Sequence, residues 1–187
     1  MKLYGSYTSP FVRHCRVALE ETGEQYQFVE TDYTQSAEGS PAKRVPFMYI
    51  GSLQLHDSAA IIKYVREHTG GDFLSDLETF DLFCLVNTAL DTCINLFLLD
   101  RDGVKVPDVP YLGRQQARID EILNTLDQRD WSLPNLPWND ATIRLACFLD
   151  WARFRNRLDL TQYPNLVSLL NAAYQHDAFA RTAPPAT

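Results

Sequence analysis

Residues 45–65 read VPFMYIGSLQLHDSAAIIKYV, and their pattern decides the fold class. Val45–Ile50 is a β-branched and aromatic run that starts behind a proline, as strands do. Gly51-Ser52 supplies turn chemistry, and Leu53–His56 returns as a second short strand. Asp57-Ser58 then opens a helix that runs to His68, with Ile61, Ile62 and Val65 on one face. A hairpin followed by a helix breaks the strict strand–helix alternation of a doubly wound sheet.

Upstream, Lys2–Gly5 reads as a short strand. Pro10–Thr22 reads as a helix, with Phe11, Val12, Cys15, Ala18 and Leu19 at helical spacing and Gly23 as its stop. EQYQFVET (24–31) alternates with period two and reads as a strand. Residues 32–44 are polar and irregular, with room for one helical turn. The order β-α-β, link, β-β-α predicts a small mixed sheet with helices packed on it. TGGDFLSD (69–76) is a glycine-rich break, after which helical periodicity takes over. Helices are expected over Leu77–Asp100, Tyr111–Asp130, Ala141–Arg155 and Pro164–His176, punctuated by Pro107, Pro110, Pro134, Pro137 and Pro164. TAPPAT (182–187) reads as a frayed end. The chain therefore divides into an α/β domain over residues 1–70, a linker over 71–76 and an all-α helical bundle over 77–187.

The 187 residues are 45% hydrophobic and 22% charged, enough to bury a core and too apolar for bulk disorder. A net charge of −7 does not suit a phosphate backbone, so no nucleic-acid partner is expected. Lys43-Arg44 and Arg153–Arg157 are the dense basic spots and read as solvated faces. MKLYGSYTS (1–9) has no apolar h-region and reads as a first strand. No apolar run approaches the roughly 18 residues needed to span a bilayer; the best, Leu96–Leu99, is far too short. Cys15, Cys84, Cys93 and Cys147 form no C-x-x-C pair, so free thiols in a reducing cytoplasm are expected, most of them in the core. The histidines are scattered, and no metal site is expected. No G-x-S-x-G, H-E-x-x-H, P-loop or G-x-G-x-x-G occurs.

SYTSPFVRHC (6–15) carries the most pointed question. Ser9 before Pro10 is an ordinary N-cap with proline at the first helical position. It is equally a hydroxyl at the positive end of a helix, placed to hydrogen-bond a substrate anion. A hydroxyl has one proton, so the two roles are expected to coexist only in part. Tyr7 lies two residues earlier and shares a face with Ser9 if strand geometry persists; Thr8 lies between them. Cys15 sits more than a turn inside the helix and reads as a buried face residue rather than a reactive thiol.

YTSPFVRHCRVALEETGEQYQFVE (7–30) resembles the opening of cytosolic glutathione transferases. SPAKRVPFMYIGSLQLHDSAAIIKYV (40–65) resembles their second hallmark, and YPNLVSLLNAAYQHDAFARTAPP (163–185) is similar to the family's ending. The likeness is nearest to a bacterial branch that begins T-S-P-F-V-R and carries Asp-Ser where many relatives have Glu-Ser or Gln-Ser. It implies a thioredoxin-like N-terminal domain, a helical C-terminal domain and glutathione as cosubstrate. Ser9 would donate to the glutathione sulfur and favour the thiolate, with Tyr7 and then Thr8 as alternates. The Val45–Pro46 bond would be cis, turning the backbone of Val45 toward the cysteinyl part of glutathione. Ser58 would take the γ-glutamyl carboxylate at a helix start and Asp57 its ammonium, although Asp reaches one methylene less than Glu. Arg44 would meet the glycyl carboxylate, or remain a solvated charge, and Phe11 would complete the glutathione contacts. In the third helix of the bundle Asn139 can be the cap, with Thr142 where relatives carry an acid.

The implied activity is thiolate attack on a small hydrophobic electrophile, by a symmetric homodimer in a bacterial detoxification setting. Two alternatives stand beside it. One is a glutathione-dependent isomerase, in which the thiol adds and is later expelled. The other is a non-catalytic interaction protein on the same fold, of the stringent-starvation type.

Overall fold

The computed structural model describes residues 1–131 and 136–185. Pro134 and the last two residues of the 182–187 tail lie outside the described residues. Two compact units emerge: Met1–Ser75 together with Tyr174–Thr187, and Asp76–Ala173.

In the first unit the strands are β1 (Lys2–Gly5), β2 (Gln27–Glu30), β3 (Phe47–Ile50) and β4 (Leu53–Leu55), and the helices α1 (Pro10–Thr22), α2 (Tyr33–Gly39) and α3 (Ser58–His68). The sheet order is β2-β1-β3-β4. β1 runs parallel to β2 and antiparallel to β3, and β3 and β4 form the hairpin. This is the thioredoxin-like arrangement of a β-α-β unit followed by β-β-α. Leu3 pairs with Met48 in the sheet, and both are fully buried against Val12, Cys15, Leu19, Ile61 and Ile62 of α1 and α3. The partners Tyr4 and Phe47 stack with ring centroids 4.6 Å apart, and Tyr49 meets both edge-on.

Local chemistry moves some boundaries. β2 starts three residues later than the alternation suggests. The link at 32–44 holds α2, almost two turns long, because Asp32 and Gln35 form a reciprocal capping box that satisfies its first amides. Gly23 ends α1 at φ 70°, a left-handed position suited to glycine.

In the second unit, α4 (Leu77–Arg101), α5 (Pro110–Asp127), α6 (Asp140–Phe154) and α7 (Pro164–Ala173) form the bundle. α4 is long and apolar enough to cross a membrane by length and composition. Reading contiguous apolar runs misses this because Asp81, Asn87, Asp91 and Asn95 interrupt them. Leu82, Phe83, Val86, Leu90 and Cys93 of this helix are buried, and it packs on α5 and α6. Thr142 does what the missing acid would do: its hydroxyl accepts the Asn139 amide at 3.1 Å, while Asn139 Oδ1 accepts from Ala141 and Thr142. The last expected helix, Pro164–His176, ends three residues early at Ala173, and a further short helix that was not expected follows it, α8 (Asp177–Arg181). The segment after α8 is not frayed at its start. Thr182 is buried, with its hydroxyl 2.8 Å from the Ala178 carbonyl.

All four cysteines are free; Cys15, Cys93 and Cys147 are buried and Cys84 is exposed. Burial pushes the Cys93 thiol from 9.0 up to about 12, with Arg157 opposing and Asp120 adding to the rise. An acid whose folded pKa is raised loses its stabilising contribution as pH climbs past the unfolded value. Stability should therefore decline as pH rises from 9.0 toward about 12. Below that window, thiol labelling of the native protein should stop at Cys84, with the three buried cysteines reacting only after denaturation. Rapid native labelling of Cys93 at pH 8 would contradict its burial.

Candidate functional site

The chain leaves β1 at Gly5 and makes a tight turn, closed by the Ser9 amide on the Ser6 carbonyl at 3.1 Å. Strand geometry therefore does not persist to Ser9, and the alternation that would align Tyr7 with it is absent. Tyr7 packs its ring 4.5 Å from Phe28 of β2, under the Arg16 guanidinium at 4.8 Å. The Thr8 hydroxyl sits 3.1 Å from that of Ser6.

Ser9 is the N-cap of α1. Its Oγ accepts the Val12 amide at a long 3.4 Å. Capping uses a lone pair of the oxygen and not its proton. The competition expected between capping and donation therefore does not arise, and the Ser9 hydroxyl can accept from its own helix while donating outward.

A small cleft opens beside this turn's helix. Phe11 of α1 forms one wall; Arg44, Val45 and Pro46 come from the loop before β3; His56, Asp57 and Ser58 come from the entry to α3. All six residues expected to hold glutathione thus line one cleft, while Ser9, Tyr7 and Thr8 are not among its lining residues. The Val45–Pro46 peptide is cis, and Val45 lies outside the ladder, which starts at Phe47. Asp57, rather than Ser58, caps α3, with Oδ1 accepting the Ala59 amide at 2.8 Å. Its Oδ2 lies 3.8 Å from Arg44 Nη2. Both side chains are more than half exposed, so the pair adds about 1 kcal/mol at most and serves mainly to orient the two groups. Ser58 is buried, and its carbonyl accepts from the Cys15 thiol at 3.8 Å.

His56 was not expected here. Gln54 lies in β4, and His56 directly follows its last residue. Gln54 Nε2 donates to the Gly39 carbonyl at 2.7 Å, and His56 Nδ1 lies 3.3 Å from Ser40 Oγ. These two side chains thus pin the start of the loop that carries Arg44 and Val45. The sequence signal was a polar residue directly before Asp57-Ser58, at strand spacing from Gln54. Among the described residues, no group of three or more His, Cys, Asp or Glu could hold a metal ion.

Residues 3–72 match the family model described as glutathione S-transferase, N-terminal domain. Over 200 aligned positions covering 99% of both chains, the protein is 28% identical to the uncharacterized GST-like protein YibF of Escherichia coli strain K12. Among solved structures it resembles a glutathione S-transferase of Methylobacillus flagellatus KT with GSH bound, at 24% identity and TM-score 0.85, covering 98% of this chain and 99% of that one. It also resembles maleyl pyruvate isomerase, a bacterial zeta-class member, at 22% identity and TM-score 0.78, covering 100% and 98%. A relative aligned end to end and a shared two-part fold agree with the matched model, and one conclusion follows: residues 3–72 are a glutathione S-transferase N-terminal domain, in a chain that is similar over its whole length to proteins of that family.

Proposed function

We propose that the protein is a glutathione transferase that activates the glutathione thiol for attack on a small apolar electrophile. One observation carries this reading: Phe11, Arg44, Val45, Pro46, Asp57 and Ser58, from three separate stretches of chain, line a single cleft. In this reading Asp57 and Ser58 receive the γ-glutamyl end, Val45 pairs with the cysteinyl backbone, and Arg44 faces the glycyl carboxylate. Ser9 donates its uncommitted proton to the sulfur. A free thiol with a pKa near 8.5 is mostly protonated at pH 7, so a donor at a helix N-terminus shifts it toward the nucleophilic form. Residues 1–70 bind glutathione, and the helical bundle that follows from residue 77 completes the subunit of a symmetric homodimer. The free cysteines suit a reducing cytoplasm, and the net charge of −7 suits a protein with no nucleic-acid partner. No metal is required, and detoxification in a bacterial cell fits this chemistry.

Isothermal titration with glutathione tests the reading. Saturable binding is expected with a dissociation constant below about 1 mM, the upper end of common substrate affinities. No binding would leave the non-catalytic interaction protein as the better description. Binding with turnover that returns free glutathione would favour the isomerase, and a stable thioether product the transferase.

A further inference from the structure

In the reading above thiol activation sits at the start of α1, and that same helix makes a set of polar contacts with the far end of the chain. Arg13 is 2% exposed. Its Nη2 donates to the Phe179 carbonyl at 2.9 Å, and its guanidinium lies 3.8 Å above the Phe179 ring. That ring is held edge-on by Tyr174 at 5.2 Å. One turn further along, Arg16 Nη1 donates to the carbonyl of buried Thr182 at 3.2 Å. Glu20 meets Arg181 at 3.4 Å. Positions 13, 16 and 20 make one helical stripe, while Val12, Cys15 and Leu19 face the sheet core. Residues 174–182 therefore grip α1 on the side away from the sheet.

Two links run from this grip to Ser9. The Arg13 amide donates to the Ser9 carbonyl at 2.9 Å, so the residue stacked on Phe179 also closes the first turn of the helix. Arg16 lies over Tyr7, in the turn that delivers Ser9, and ties that ring to the Thr182 carbonyl. A planar guanidinium fixed by a ring and a carbonyl has little freedom to slide. We infer that the C-terminal segment, through Arg13 and Arg16, positions the Ser9 turn for thiol activation, and that both arginines are positioning residues for the reaction. This rests on the glutathione reading above.

Two variants test it: Phe179→Leu, which keeps the carbonyl and a buried side chain but removes the ring, and Arg16→Ala on the partly exposed side. In ligand-free protein, amide hydrogen exchange over residues 9–13 should be faster in both. With glutathione bound, ultraviolet titration of the thiolate should show its pKa raised by about half a unit or more, and kcat/KM should fall about tenfold or more, as small misplacements of a catalytic group do. Glutathione affinity should change less than about twofold, because the cleft residues are untouched. Unchanged exchange overturns the grip itself. Faster exchange with an unchanged thiol pKa reduces it to a structural contact and overturns the assigned role. If the parent protein binds no glutathione, the functional reading falls and takes that role with it, a result visible before any variant is made.

Discussion

Replacing Ser9 by glycine is expected to lower glutathione-dependent turnover about 10²-fold or more while leaving the protein nearly as stable as its parent. The two halves of that expectation come from different atoms. The oxygen of Ser9 accepts the Val12 amide at 3.4 Å, a long bond near the weak end of capping. Glycine at an N-cap costs only a few tenths of a kcal/mol relative to serine, whereas alanine costs about 0.5–2. The proton, by contrast, has no counterpart in glycine, and the loss of one oriented donor to a developing anion typically costs about 10²–10³ in kcat. Ser9→Gly and Ser9→Ala should therefore be equally inactive and unequally stable. Steady-state kinetics and thermal melts on the pair separate capping from catalysis. Full activity in both would transfer the role to another donor. Tyr7, whose ring but not hydroxyl is used by Phe28 and Arg16, and Thr8, whose hydroxyl sits beside that of Ser6, would then be the donors to examine.

Much of the first unit was legible in the sequence because its signals are local. Periodicity and turn residues define α1, α3 and the β3–β4 hairpin, and Gly23 and Asp57-Ser58 mark helix boundaries. The capping pair Asp32 and Gln35 was equally local, and reading residues 32–44 as irregular overlooked it. Other features have no local signature. His56 matters through Ser40, sixteen residues away. The grip on α1 joins residues 166 positions apart, and TAPPAT looks like a loose end until Thr182 is seen to be buried. The helix over Leu77–Asp100 was legible from its periodicity, but its overall apolar character was not, because polar residues interrupt its apolar runs. The site residues were reached through family likeness. The residues alone offered helix caps, a proline before a strand and a loop arginine, each with an ordinary structural use.

Gly5→Ala is expected to lower the melting temperature by about 3–10 °C, a large effect for one methyl group. A Cβ at Gly5 would stand 2.5 and 2.6 Å from the two γ carbons of Val12, far inside contact distance. Val12 is fully buried, and a β-branched side chain in a helix has one strongly preferred rotamer, so it cannot turn aside. The backbones of β1 and α1 must separate instead. α1 cannot move freely, because its outer face is held by Phe179 and Thr182, and Gly5 itself accepts the Thr31 amide at 2.9 Å. Overpacking of this kind costs about 1–3 kcal/mol, which converts to the expected shift for a chain of this length. Any outward movement of α1 also carries Ser9 with it, so activity measured well below the melting transition should fall too. The clash has one partner, which makes it checkable. Val12→Ala removes both offending carbons and leaves a small cavity that the new methyl partly fills. The double variant Gly5→Ala/Val12→Ala should therefore be more stable than the sum of the single losses predicts, by at least about 0.5 kcal/mol, the coupling expected of residues in contact. Strict additivity would mean that Gly5 is required for some reason other than the close approach of α1.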